Sequence, residues 1–277
     1  DRNERAIEVG REALTMAEEL GLDDLRAHAL NNIGSARAFS GDPGGLADLE
    51  ESIAIASRLN SISDLIRGHN NLAVLHVAYG QLRLAREEEE QTRELAERFG
   101  HFGFLRFLEG GPAIANRYIE GLWDDALERT NVFLAEVESG SPHYQAAASY
   151  SFRGLIRLGR GDSPGAESDT ERAVELARAV GDPQAFESTL TRAAFVFLST
   201  GNAERARETV AETLASLREL TTLGFVSVGM HALAWAALML GREAEVVALL
   251  DREPIDSPWI RAARAPVRAW RWALRCT

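Results

Sequence analysis

Apolar and small side chains recur along most of the chain with the three- and four-residue spacing of an amphipathic α-helix. One face of the segment 166–177 carries Ala166, Thr170, Ala173, Val174 and Ala177, and the segment 189–198 repeats the pattern. No alternating pattern long enough for a β-strand competes with it. The pattern therefore predicts an all-α protein.

Glycines divide these helices at a fixed period of 39 to 41 residues, which is the signature of a helical repeat array. They are Gly41, Gly80, Gly121, Gly161, Gly201 and Gly241. A second set of residues, of the types found at helix C-terminal caps, alternates with these glycines and follows the remaining apolar segments. These are Gly21, Asn60, Gly100, Gly140 and Gly181. Each repeat is thus predicted to hold a helix A, a glycine turn, a helix B and a second turn.

Small residues occupy fixed positions around each turn glycine, as expected where two helices approach closely. Seven residues before it stand Gly34, Ala73, Ile114, Gly154, Ala194 and Ala234, and five after it Leu46, Ala85, Ala126, Ala166, Ala206 and Val246. The pattern resembles the tetratricopeptide repeat (TPR) over nearly the whole chain. Its period is longer than usual, and helix A lacks the usual aromatic residue four positions before the glycine in every repeat except the one with Phe197. It is most similar to the arrays of kinesin light chains and of large ATP-binding LuxR-type bacterial regulators, and HEAT-type repeats are the alternative fold.

The resemblance implies a right-handed α-solenoid of about six to seven TPR-like repeats, forming a single array over residues 1–277. We expect a leading helix B at 1–21, six helix pairs over 22–256, and a helix at 257–277 that either caps the array or begins a further repeat. The sequence Glu109-Gly-Gly-Pro-Ala113 interrupts one helix A, so a kink is expected there. It is either a hinge or a local irregularity.

Charge and composition narrow the function classes. A net charge of -12 disfavours binding to nucleic acids. The absence of lysine suggests a GC-rich bacterial genome, and the lone Cys276 suggests a reducing, cytoplasmic compartment. No signal peptide or membrane-spanning run is present, so no membrane association is expected. Because the chain begins at Asp1 within a helical pattern, we expect a fragment of a larger signalling or transcription-regulatory protein, or else a chain whose start was removed or is disordered.

The tripeptide Arg160-Gly161-Asp162 matches a cell-adhesion motif, but each residue has a local structural explanation. Gly161 is in register with the other turn glycines, Asp162 and Ser163 are N-cap types, and Pro164 suits the first turn of a helix. We therefore expect a turn rather than an adhesion site.

The resemblance implies that the second, fifth and ninth positions of helix A line a concave, ligand-binding groove. Here these positions lie 13, 10 and 6 residues before the turn glycine. Early repeats supply His28, Asn31, Ser35, Arg67, Asn70 and Val74; later ones supply Ser188, Thr191, Phe195, Val228, His231 and Trp235.

Two pairs among these residues have alternative roles. Peptide-binding members of the family use Asn at the fifth position, so Asn31 and Asn70 are predicted to contact a peptide backbone; otherwise they bond neighbouring helices. Asn32 and Asn71 are expected to bond within the array. Phe195 and Trp235 either form an apolar floor for a ligand side chain or fill the core.

The final segment carries two stripes at helical spacing. One consists of Arg261, Arg264, Arg268, Arg271 and Arg275, and the other of Ile260, Ala263, Val267, Trp270 and Leu274. If the period continues, Arg268, Arg271 and Arg275 face the groove and bind carboxylate or phosphate, which admits a small acidic ligand. The alternatives are a solvated outer face or pairing with acidic residues of the array. Pro266 is expected to kink or split this helix. The run Glu87–Glu90 is expected to be solvated surface.

No arrangement of His, Cys or Ser residues matches a metal site or a catalytic motif, so no enzyme activity, metal or cofactor is expected. The first functional hypothesis is a scaffold that binds a protein or peptide in its groove. The second is a sensor array for a small molecule or peptide that controls an attached ATPase or DNA-binding domain.

Overall fold

A computed structural model describes residues 2–220 and 222–275, with side chains left undescribed at residues 2 and 271–275. This part of the chain forms α-helices and one short 3-10 helix, Gly224–Gly229, and it contains no β-strand. The α-helices are α1 Arg2–Leu20, α2 Asp23–Phe39, α3 Gly44–Leu59, α4 Ile62–Ala78, α5 Leu82–Arg98, α6 Phe102–Gly110, α7 Pro112–Ile119, α8 Trp123–Glu138, α9 Ala146–Gly159, α10 Ser163–Val180, α11 Pro183–Ser199, α12 Ala203–Arg218, α13 Met230–Met239, α14 Glu243–Asp251 and α15 Pro258–Arg275. None of the described helices combines the length and the apolar character needed to span a bilayer.

The chain divides into two compact units, and the division falls within α6. The first unit extends through Leu105 and includes the segment Glu253–Ser257; the second comprises Arg106–Arg252 and α15. In the first unit each helix from α1 to α5 packs on the next, and the A helices α2 and α4 also touch. In the second, neighbours from α7 to α15 pack in sequence, and the A helices α7, α9, α11, α13 and α15 each contact the next A helix. This is the all-α helical-repeat fold class predicted from the sequence.

The predicted turn residues adopt the conformation that the repeat requires. All six turn glycines have positive φ, from 72° at Gly241 to 91° at Gly201. The predicted helix-capping residues between them, four glycines and Asn60, also have positive φ, with 53° at Asn60. This left-handed region is open to glycine and tolerable for asparagine. The prediction of regularly spaced turns is thus confirmed.

Small residues bring helices A and B together, as predicted. A Cβ atom on Gly34 of α2 would lie 2.6 Å from the carbonyl oxygen of Gly45 on α3, and one on Gly45 would lie 2.3 Å from the carbonyl oxygen of Gly34. Both distances are shorter than van der Waals contact. The two backbones can therefore cross this closely only because both positions are glycine.

The predicted kink at Gly110-Gly111-Pro112 is confirmed as a break between α6 and α7. Gly111 has φ −141° and ψ −79°, outside the helical region, and Pro112 begins the next helix. The carbonyl of Gly110 accepts a hydrogen bond of 2.6 Å from the hydroxyl of Ser149. Whether the break is a hinge stays a prediction.

The adhesion-like tripeptide forms an ordinary helix start. Gly161 has φ 83°, Asp162 is the N-cap of α10, and its carboxylate accepts a 3.0 Å hydrogen bond from the amide of Gly165. Pro164 lies in the first turn. Gly161, Asp162 and Pro164 thus have the structural roles expected from their places in the repeat.

Two expectations about helix surfaces need correction. Pro266 does not split the last helix, which runs through it, and whether it kinks the helix stays a prediction. The carbonyl that it leaves without a partner belongs to Ala262, which is exposed to water. The run Glu87–Glu90 is not wholly solvated: Glu89 is buried beside Arg93, with 3.4 Å between Nη2 and Oε1, and Glu88 lies 2.6 Å from His69. Four consecutive helical residues span every face, so some of them must point toward the neighbouring helix.

Candidate binding site on the A helices

In the first unit the second-position residues bond each other. The Nη1 group of Arg67 on α4 donates to Nδ1 of His28 on α2 at 2.5 Å, and its Nη2 lies 3.3 Å from Asp64. Nδ1 of His28 therefore acts as an acceptor and carries no proton. Both side chains thus link consecutive A helices while part of each stays accessible.

The two fifth-position asparagines differ in environment. Asn31 is 4% exposed; its oxygen accepts a 3.1 Å hydrogen bond from Nδ2 of Asn71, and its amide group donates to Asn32 at 3.3 Å. Asn70 is half-buried, and its side chain makes no hydrogen bond within the described residues. Peptide contact at these positions remains a prediction, and Asn70 has the carboxamide that is free to make it.

The bond between Asn71 and Asn31 has a counterpart in the second unit. Arg192 of α11, at the position equivalent to Asn71, donates from Nε to Oγ of Ser151 on α9 at 2.8 Å. Ser151 stands at the fifth position, as Asn31 does. The residue after the fifth position therefore bonds back to the fifth position of the preceding A helix in both units. Sequence reasoning expected such a role for Asn32 and Asn71 but overlooked Arg192.

Thr191 and Phe195, on α11, are less accessible than the prediction of ligand contact implies. Thr191 is fully buried, donates to the carbonyl of Ser188 at 2.9 Å, and lies against Gly229. Phe195 is half-buried and packs with Ile114 and other apolar residues of α7, α9 and α11. Part of the Phe195 ring can still contact a ligand, whereas Thr191 cannot without rearrangement.

One row of side chains on α13 is exposed while the rest of the helix is buried. Trp235 is 45% exposed and Met239 60% exposed, and His231 is exposed one turn earlier on the same face. The buried residues are Met230, Ala232, Leu233, Ala234, Ala236, Ala237 and Leu238. We call His231, Trp235 and Met239 the α13 row. Because Nδ1 of His231 donates to the carbonyl of Val228 at 2.9 Å, its Nε2 remains available as an acceptor in the neutral ring.

The final helix α15 packs beside α13. Ile260, Ala263 and Val267 of the predicted apolar stripe are buried in the core shared with α13 and α14, whereas Trp270 is about half exposed. On the Arg stripe, Nη2 of Arg264 donates to the carbonyl of Leu250 near the end of α14 at 2.6 Å, and Arg268 is exposed. The side chains of Arg271, Leu274 and Arg275 lie outside the described residues. The groove placement of the stripe stays a prediction.

Comparison with known proteins adds little to this description. No family model matches the sequence, and no curated protein matches it. Among solved structures, the chain is similar to the crystal structure of BtubC (BKLC) from P. vanneervenii, with 16% sequence identity over 97% of this chain and 93% of that chain and a TM-score of 0.35. A similarity of this size supports no statement about function.

Proposed function

We propose that this chain is a non-enzymatic protein-interaction scaffold that binds an extended peptide segment of a partner across the A helices of its second unit. The observation that carries the proposal is the α13 row. A helix that is apolar on every face is normally buried on every face. Here α13 instead presents a tryptophan and a methionine to solvent in one line.

The chemistry of the row suits a peptide partner. Tryptophan is enriched among the residues that dominate binding energy at protein interfaces, and methionine adapts its shape to varied side chains. His231 offers a hydrogen-bond acceptor beside them, and Arg268 adds a positive charge on the neighbouring helix α15. The expected partner segment has apolar side chains for the row and an acidic residue for Arg268.

A second candidate function is the sensor array for a small molecule or peptide. The break at Gly111 between α6 and α7 favours it, because few local contacts need to change where a helix is already interrupted. In a longer protein with an ATPase or DNA-binding domain, ligand should then change the activity of that domain. Ligand binding without any such change would leave only the scaffold function.

The scaffold proposal is tested by selecting peptides from a random display library on the complete 277-residue chain and measuring their affinity. Trp235→Ala should weaken binding of the selected peptides by about 2 kcal/mol or more, as expected for a central aromatic residue. Failure to select any peptide, or equal affinity in the variant, would contradict the proposal.

A methionine pair supplies the control. Met239 and Met16 are each 60% exposed, but Met16 lies on α1, outside the row. Met239→Ala should weaken peptide binding, and Met16→Ala should leave it unchanged. An equal loss in both variants would indicate nonspecific hydrophobic capture.

A further inference from the structure

Arg192 on α11 is a buried cation with no anionic partner among the described residues. The residue is only 9% exposed, and its side chain donates to the hydroxyl of Ser151. Its guanidinium carbon lies 4.5 Å from the centre of the Phe152 ring. Within the described part of the chain, no carboxylate lies at ion-pair distance from it. Buried charges are normally paired, so this site is incomplete as it stands.

Other arginines that stack on aromatic rings in the second unit show what is missing. Arg153, over the ring of Tyr150, pairs with Asp169 at 2.8 Å. Arg205, over Phe197, pairs with Glu208 at 3.0 Å, and Arg106, over Phe133, lies 3.8 Å from Glu136. Stacking therefore does not replace the carboxylate elsewhere in this unit. Arg192 departs from a rule that its neighbours follow.

The unpaired groups of Arg192 are not fully sealed from solvent. Its two Nη groups make no hydrogen bond within the described residues, and neither of them is fully buried. They therefore keep some access to solvent. Loss of hydration lowers the pKa of Arg192 to about 10, so the side chain still carries its charge at neutral pH.

Further aromatic side chains belong to the cluster that contains Phe152, the ring beneath this cation. Tyr118 of α7 lies with its ring centre 5.4 Å from that of Phe152, and Phe195 belongs to the same cluster. The hydroxyl of Tyr118 makes no hydrogen bond within the described residues, and burial raises the pKa of this phenol. It therefore stays protonated and able to donate. One guanidinium and one phenol beside apolar walls match a carboxylate on an apolar stem better than a phosphate, which needs more donors.

We infer that Arg192 is the anchor of a binding site for a carboxylate carried on an aromatic or apolar stem. The Nη groups of Arg192 donate to the carboxylate, and Tyr118 supplies a second donor. Ser151 holds the guanidinium through Nε, and the stem lies against the rings of Tyr118 and Phe195. The site uses α7, α9 and α11 and does not require the α13 row, so it is independent of the proposed peptide binding.

The test is calorimetric titration of the complete chain with 3-phenylpropionate and with its neutral amide, 3-phenylpropionamide. The acid should bind the wild-type protein, and the amide should bind about tenfold more weakly or worse, a difference of about 1.4 kcal/mol. Arg192→Met should reduce acid binding by at least the same factor. Arg205→Met, which removes an arginine that is stacked but paired, should leave it unchanged.

The carboxylate could belong to a peptide C-terminus or to a small organic acid. Peptides that end in phenylalanine, with either a free or an amidated C-terminus, distinguish these two sources. If the free peptide binds and 3-phenylpropionate does not, the ligand is a peptide C-terminus; if the small acid binds alone, it is an organic acid. In both cases Arg192→Met must weaken binding by at least the same factor of about ten. The inference is overturned if no carboxylate binds, if acid and amide bind equally, if Arg192→Met retains binding, or if inorganic phosphate binds more tightly than the acids.

Two controls keep the result interpretable. Replacement of an unpaired buried cation by methionine should preserve the circular dichroism spectrum. If it does not, the Nε–H signal of Arg192 in the wild-type NMR spectrum should shift with the acid and not with the amide; an unmoved signal overturns the inference. Trp235→Ala should leave acid binding intact, so failure of the peptide proposal can be told apart from failure of this one.

Discussion

At the scale of single residues, several polar side chains on the predicted groove face of the A helices bond one another across consecutive repeats. Asn71 bonds Asn31, and Arg192 bonds Ser151, from equivalent positions. A side chain that is hydrogen-bonded to a neighbouring helix is less available to a ligand. Asn70 and the Nη groups of Arg192 make no hydrogen bond within the described residues, so they are the better candidates for ligand contact.

The two fifth-position asparagines should respond differently to truncation. Asn31→Ala leaves the half-buried amide of Asn71 without its acceptor and should lower the free energy of unfolding by about 0.5–1.5 kcal/mol. Asn70→Ala should change it by less than about 0.5 kcal/mol. Urea unfolding of both variants measures the difference. Equal effects would mean that the Asn71–Asn31 bond does not stabilise the fold.

The sequence predicted the residue-scale picture unevenly. The family pattern indicates which positions of helix A face a groove, but it does not indicate which polar groups the protein has already paired. Thr191 is an example, because its burial depends on Gly229 of the next repeat, far along the chain. Arg192 could have been found as the one charged residue at a position otherwise held by Asn32, Asn71, Pro112, Phe152 and Ala232.

At the scale of elements, glycine determines both where helices end and how closely they pack. The turn glycines were predictable because positive φ is a local requirement that few other residues meet. The 3-10 helix before α13 had no such signal. Its residues pack into the core between α11 and α15, so tertiary contacts rather than local sequence determine its conformation.

Packing at the α2–α3 crossing should be sensitive to a single methyl group. Gly45→Ala would place a Cβ atom 2.3 Å from the carbonyl oxygen of Gly34 and 2.6 Å from the amide nitrogen of Ala38, so the backbones must separate. We expect a loss of about 1–3 kcal/mol of unfolding free energy.

Gly103→Ala is the matched control in thermal or urea unfolding. Gly103 lies in α6 with nothing within 4 Å of an added Cβ atom, so alanine should stabilise the helix by up to about 1 kcal/mol. If both alanine variants shift stability in the same direction, close packing at Gly45 is not what selects glycine there.

At the scale of the whole molecule, the repeats share one helical pattern but differ in the environment of a few side chains. The period of the repeat predicts the helix pairs from sequence alone. It also locates the α13 row, because Trp235 stands one period after Phe195. It does not predict that Trp235 is exposed while Phe195 packs into a cluster, because that difference depends on neighbouring side chains. In a chain with a net charge of -12, the Arg stripe of α15 stands out by its charge, and its role in binding acidic partners stays a prediction.

The α13 row is tested most directly by NMR of the chain with ¹³C-labelled methionine methyl groups. The chain contains three methionines: Met239 lies in the row, Met16 is equally exposed on α1, and Met230 is fully buried. On titration with a selected peptide, the signal of Met239 should shift while those of Met16 and Met230 stay in place. A peptide that binds without moving the Met239 signal, or that moves the Met16 signal equally, would contradict the account.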